Sequence, residues 1–185
     1  MFNESFRVIV NPSEQWSILK NKSDSRIPLF SRLLIPWLLI LLISVIIGKL
    51  LFRSAYGIIL TDVLVVAVRK TLLLIMTFLA SIMILYETSR KFRIPIGFET
   101  SRRIVAYSML PLIMVAVLTA LFPFLRLAGL AAFYSLYLLY IAPQKMYEID
   151  PVKNLNFYLI LITGTFLSYL IISILLHKLT VFILF

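Results

Sequence analysis

Residues 102–143 have the sequence RRIVAYSMLPLIMVAVLTALFPFLRLAGLAAFYSLYLLYIAP, an apolar run with two basic residues at its entry. Positions 104–122 carry no charge, and this length suffices to cross a hydrocarbon core of about 30 Å. Pro123 marks a turn, and Arg126 lies where its side chain can reach headgroups or water. The pattern predicts two membrane helices back to back, residues 104–122 and 124–141, with Pro143 ending the run.

The composition of the whole chain supports a membrane protein. Hydrophobic residues make up 62% of its 185 residues, and the mean hydropathy is +1.03. A soluble domain is usually about 45–50% apolar. We therefore expect an all-α polytopic integral membrane protein, with a tail of residues 1–28 before a five-helix transmembrane domain of residues 29–185. The other three predicted spans are 29–52, 71–86 and 155–176.

Residues 55–70 are the ambiguous segment. They are apolar as far as Arg69-Lys70, but too short for an ordinary span, and Asp62 lies within them. Three alternatives stay open: a re-entrant segment, an interfacial segment, or the front half of a long helix.

The tail contains one predicted helix. Asn11 can cap it, Pro12 suits its first position, and Glu14 lies where it can bond back to the cap. Trp16 and Leu19 fall on one side of this helix, and lysines lie near its end. We predict an amphipathic helix at the membrane interface. The alternative is a tail packed on the bundle.

The formal net charge is +10, and the basic residues cluster at the ends of the predicted spans. There they meet anionic headgroups and fix orientation. No nucleic-acid-reading motif accompanies the charge, so nucleic acid is not an expected partner. Twelve Lys and Arg residues fall on the N-terminal side of five spans and six on the other. The excess predicts a cytoplasmic N-terminus and a C-terminus on the opposite side.

The sequence offers little for catalysis. It has no cysteine, one histidine and no recognisable nucleophile, phosphate-binding or metal motif. We therefore expect no enzyme, no cofactor and no metal, and an interfacial role for His177. Asp62, Arg69 and Glu87 are the candidate polar residues of the membrane domain. Asp62 either lines a cation or proton path or, as the favoured interpretation, forms a structural ion pair or lies at the interface.

Several motifs resemble those of the Yip family, the Ypt/Rab-interacting membrane proteins, and in particular its bacterial branch. A Pro-x-x-x-Trp element precedes a proline-containing first span, a Tyr-Ser-x-x-Pro element lies in the third, and YSLYLLY lies in the fourth. A stripe of tyrosines such as this one is more typical of helix packing than of a ligand-binding wall. The positions that match the family pattern, with an expected architectural role, are Tyr107, Pro111, Pro123, Tyr134 and Tyr137.

The resemblance implies five spans, a cytoplasmic N-terminus and, for the bacterial branch, the inner membrane. Eukaryotic members associate with prenylated Rab GTPases and with one another, but the tail of about 28 residues is shorter here, so a Rab-type role is not carried over. We expect a non-enzymatic protein that contacts membrane lipids and binds a membrane-protein partner or a second copy, or organises the bilayer. The alternatives are a small transporter or channel with Asp62 near its path, and a lipid-binding protein with a groove between spans.

Overall fold

The computed structural model describes residues 7–21, 34–52 and 60–184, and in that part of the chain every regular element is helical. A 3₁₀ segment, Pro123–Phe133, connects the fifth and sixth of seven α-helices. The helices are α1 Pro12–Asn21, α2 Ile35–Phe52, α3 Leu60–Lys91, α4 Phe98–Ser108, α5 Leu110–Leu121, α6 Tyr134–Tyr147 and α7 Leu155–Leu184.

Five segments are long and apolar enough to cross a membrane, which confirms the predicted all-α polytopic architecture. The first predicted span begins at residue 29, but residues 29–33 lie outside the described residues. The candidate spans are Ile35–Phe52, Thr61–Lys91, Phe98–Leu121, Leu127–Tyr147 and Leu155–Phe182.

The second span is a single long helix. Residues 60–70 continue without interruption into residues 71–91, so the long-helix alternative holds for the part of 55–70 that the structure describes. The sequence of α3 contains neither proline nor glycine, and its lysines and arginines are good helix formers with apolar stems. The predicted boundaries 71–86 were therefore too narrow at both ends.

The third span is broken near its middle, as its proline predicts. α4 ends at Ser108, α5 begins at Leu110, and Pro111 lies in the first turn of α5, where a missing N–H is tolerated. Ser135 of α6 accepts a hydrogen bond from the backbone N–H of Leu112 at 2.9 Å. The break thus leaves the N–H of Leu112 available, and the hydroxyl of Ser135 on the neighbouring helix accepts its hydrogen bond.

Three predicted boundaries were wrong. The fourth span is not one α-helix over 124–141, because its first part is the 3₁₀ segment. Pro143 does not end that span: it lies inside α6, which continues to Tyr147 and ends where Glu148 takes a left-handed conformation (φ 55°). α7 does not stop near residue 176 but runs to Leu184, because His177 and Lys178 can extend toward water without breaking a helix.

The bundle is held by close contacts between long helices. α3 packs along α7, α2 packs against α3 and α5, and α1 packs against α6. Gly164 of α7 lies so close to α3 that a Cβ atom there would be 3.3 Å from Ile84, because a small residue lets two helices approach closely. At Gly48 of α2 an added Cβ would overlap the backbone carbonyl of Ala120 on α5.

Candidate functional site

The N-terminal helix is joined to the bundle by one buried ring and two long-range hydrogen bonds. Trp16 is fully buried, and its ring meets that of Tyr107 edge to face with 6.4 Å between centroids. Arg103 donates to the carbonyl of Leu19 at 3.0 Å. The hydroxyl of Tyr134 donates to the carbonyl of Ile9 at 2.8 Å. The predicted helix is therefore present, and its apolar side faces protein.

The same contacts give the direction of α1. Leu19 lies beside Arg103, and Trp16 lies beside Tyr107, one helical turn further along α4. Ile9 reaches Tyr134, the neighbour of the serine that bonds to α5. α1 therefore runs lengthwise along α6. Its placement relative to the bilayer stays a prediction.

The outer side of this N-terminal segment is exposed. Val10 is 80% and Ile18 50% exposed, and both are apolar. The side-chain amide of Asn11 donates to the carboxylate of Glu14 at 2.6 Å, a contact between the two side chains at the start of the helix. We call the exposed side chains of residues 10–18 the tail surface. It is a mixed polar and apolar surface on a helix that the bundle holds in place.

The five family-motif residues have different roles. Tyr107 and Tyr134 hold α1, Pro111 lies in the first turn of α5, and Pro123 opens the 3₁₀ segment. Tyr137 is 46% exposed and stacks on Tyr134 at 5.4 Å between centroids. Sequence reasoning expected architecture at these positions but missed that two of them hold the tail, although the Pro-x-x-x-Trp element was a signal for it.

The three candidate polar residues do not converge. Asp62 is partly buried in the first turn of α3. The positive end of the helix dipole stabilises a negative charge at this position. Arg69 donates to Nδ1 of His177 on α7 at 2.8 Å. Glu87 is exposed and pairs with Arg90 at 3.4 Å. Since 25 residues of one helix separate the two acids, they lie about 37 Å apart and cannot form one site.

A cavity of about 180 Å³ lies inside the bundle, between α3, the broken third span, α6 and α7. Its lining includes six hydroxyl side chains but no charged residue. The hydroxyls of Ser108 and Thr165 are buried and find no hydrogen-bond partner among the described residues. The space suits a few waters or part of an apolar chain, and it holds no acid or base for catalysis. The six hydroxyl residues are Thr77, Ser81, Ser108, Ser135, Thr165 and Tyr169.

Metal-ligating side chains are also dispersed. Within residues 7–21, 34–52 and 60–184, no three His, Asp or Glu residues come close enough to hold a metal ion.

A family model described as the Yip1 domain matches residues 6–177 of the chain. The match covers the N-terminal helix and all five candidate spans up to the last turns of α7. No curated protein and no solved structure gives a significant match.

Proposed function

The chain belongs to the Yip1 domain family, and on that premise we propose a non-enzymatic integral membrane protein that binds a membrane-protein partner or organises the bilayer around it. Its binding face is the tail surface. The N-terminus lies in the cytoplasm, the C-terminus lies on the opposite side, and the membrane is a bacterial inner membrane.

One observation carries this proposal: α1 is fixed to the bundle while its outer side is exposed. Trp16 is buried, and two backbone carbonyls of the segment accept hydrogen bonds from Arg103 and Tyr134. A preorganised surface loses less conformational entropy on binding than a disordered tail would lose. Exposed Val10 and Ile18 supply apolar area that a partner can bury.

The orientation rests on charge. Five crossings leave the two ends of the chain in different compartments. The larger share of Lys and Arg belongs to the N-terminal side, which by the positive-inside rule faces the cytoplasm. The tail surface is then accessible to cytoplasmic or membrane-bound partners.

Photo-crosslinking tests the proposal. A photoreactive amino acid at Ile18 is expected to give a discrete adduct in intact membranes, whereas the same group at Leu175, 61% exposed on α7, gives a different or diffuse pattern. Replacing Trp16 by alanine in the Ile18-labelled protein should abolish the discrete adduct, because α1 loses the buried ring that holds it. Replacing Val152, which is 84% exposed and outside the tail surface, by alanine is the control.

Two results would contradict the proposal. Identical adduct patterns from Ile18 and Leu175 would remove the tail surface as a binding face. Robust ion or solute flux in protein-containing vesicles, lost in Asp62→Asn, would favour a transporter.

A further inference from the structure

A second cavity lies at the other end of the third span, where α2 ends and α5 meets the 3₁₀ segment. Its volume is about 560 Å³, within the usual range of small-molecule sites. Lys49 of α2 and Lys70 of α3 both line it, and Thr119 adds a hydroxyl. Two cationic side chains from different helices thus meet one space large enough for a ligand.

The charge around this cavity is strongly one-sided. Arg69 and Lys49 are the charged groups that act on the Lys70 ammonium, and both are positive. Within residues 7–21, 34–52 and 60–184, no carboxylate pairs with Lys70. Of the eight acidic residues in the sequence, only Asp62 belongs to the described segments 45–52, 60–70, 117–130 and 176–184, which lie at this end.

Both lysines are only partly exposed. Removing a positive charge from water is unfavourable unless an anion or a set of acceptors replaces the lost hydration. Lys49 lies at the end of the first predicted span, where the sequence predicts contact with anionic headgroups, and it lines this cavity. An anion in this space would relieve the repulsion between the two ammonium groups and accept hydrogen bonds from Lys70.

We propose that this cavity binds a phosphate group, supplied by the headgroup of an anionic lipid. A lysine ammonium is a compact cation that binds phosphate oxygens well, and basic pockets between membrane helices suit lipid headgroups. Phe52, which lines the cavity, and Phe124 lie edge to face at 6.5 Å and are 55% and 72% exposed. They offer apolar surface to the acyl chains beside the phosphate.

This inference goes beyond the proposed function, because it concerns the end of the bundle away from Leu19 and Arg103. The phosphate site stands or fails whether or not the tail surface binds a partner.

Native mass spectrometry of the full chain with phosphatidylglycerol in a phosphatidylcholine background tests the site. Lys49→Gln and Lys70→Gln are each expected to weaken phosphatidylglycerol binding about tenfold, since each removes one charge-assisted hydrogen bond. Lys70→Arg keeps the charge and should retain most of the binding. Lys178→Gln, an exposed residue of α7, makes the same change in net charge and should leave binding unchanged.

The control variants decide the outcome. If Lys178→Gln weakens binding as much as Lys70→Gln, or if no lysine variant changes it, the site is overturned. Thermal unfolding in detergent shows which variants are folded, and Lys70→Arg keeps the test decisive if a glutamine variant is not. A folded Lys70→Arg protein without binding would overturn the proposal.

Titration with inorganic phosphate separates the two sources of the anion. Weak, Lys70-dependent displacement of phosphatidylglycerol by phosphate supports the lipid headgroup as the ligand. Lys70-dependent binding of inorganic phosphate that phosphatidylglycerol does not compete with supports the phosphate site but overturns the lipid source.

Discussion

At the scale of single residues, Tyr134 joins the tail to the bundle through its hydroxyl, which donates to the backbone of Ile9. Tyr134→Phe removes this hydrogen bond but keeps the ring. We expect a loss of about 0.5–1.5 kcal/mol in the free energy that holds α1 in place. The measurement is amide hydrogen exchange of residues 9–19, which should become faster.

Tyr137 provides the matched control. It is the next tyrosine of the same helix and stacks on Tyr134, but no hydrogen bond joins it to residues 7–21. Tyr137→Phe should leave exchange in the tail unchanged. Equal acceleration in both variants would show that ring stacking, and not the bond to Ile9, holds α1.

Gly48 is the tightest contact between α2 and α5. An added methyl group would overlap the Ala120 carbonyl and lie 2.8 Å from its carbon, so a helix has to shift. Gly48→Ala is expected to destabilise the protein by about 1–3 kcal/mol, the usual effect of overpacking. The measurement is thermal unfolding in detergent.

Gly97→Ala is the control for this substitution, because nothing lies within 4 Å of a Cβ at Gly97. It should change stability little. If Gly48→Ala were as stable as Gly97→Ala, the close crossing of α2 and α5 would be wrong.

At the scale of elements, residues 60–91 form one continuous helix, α3. The chain has no native cysteine, so spin labels can be placed on single engineered cysteines. Labels at Leu64 and Met83, both exposed on α3, are 19 residues apart. In a continuous helix their attachment points lie about 28 Å apart, and a pulsed electron-spin distance measurement should give one narrow peak near that value.

A re-entrant first half would bring the two labels much closer together or broaden the distribution. Labels at Leu159 and Phe182 of α7 provide a control within another continuous helix. A broad or short distance in α3 together with a narrow one in α7 would restore the re-entrant alternative.

The sequence predicted helix positions better than helix ends. Charge-free stretches such as 104–122 place a span because the hydrocarbon thickness sets its length. Pro143 and His177 suggested ends, but a buried proline can remain inside a packed helix, and polar side chains can reach water from within one. Such ends depend on neighbouring helices, which a single sequence does not display.

The candidate sites were harder to predict for the same reason. The motif tyrosines were expected to be architectural, but their contact with α1 depends on residues more than 90 positions apart. Lys49 and Lys70 look like two separate span ends in the sequence. They line one cavity only because α2 and α3 pack side by side.

At the scale of the whole molecule, an odd number of crossings is the central claim. The all-α bundle has five candidate spans, and the Yip1 domain match extends across nearly all of them. An even number of crossings would put both ends of the chain in the same compartment. The proposed orientation combines the five crossings with the distribution of Lys and Arg.

Labelling of single cysteines with a membrane-impermeant maleimide tests this claim most directly. Ser17 and Lys178 are both exposed and lie in the first and last helices. In vesicles whose interior is the cytoplasmic side, we expect Lys178→Cys to react with reagent added outside. Ser17→Cys should react only after the membrane is permeabilised. Labelling of both positions from the same side would contradict five crossings.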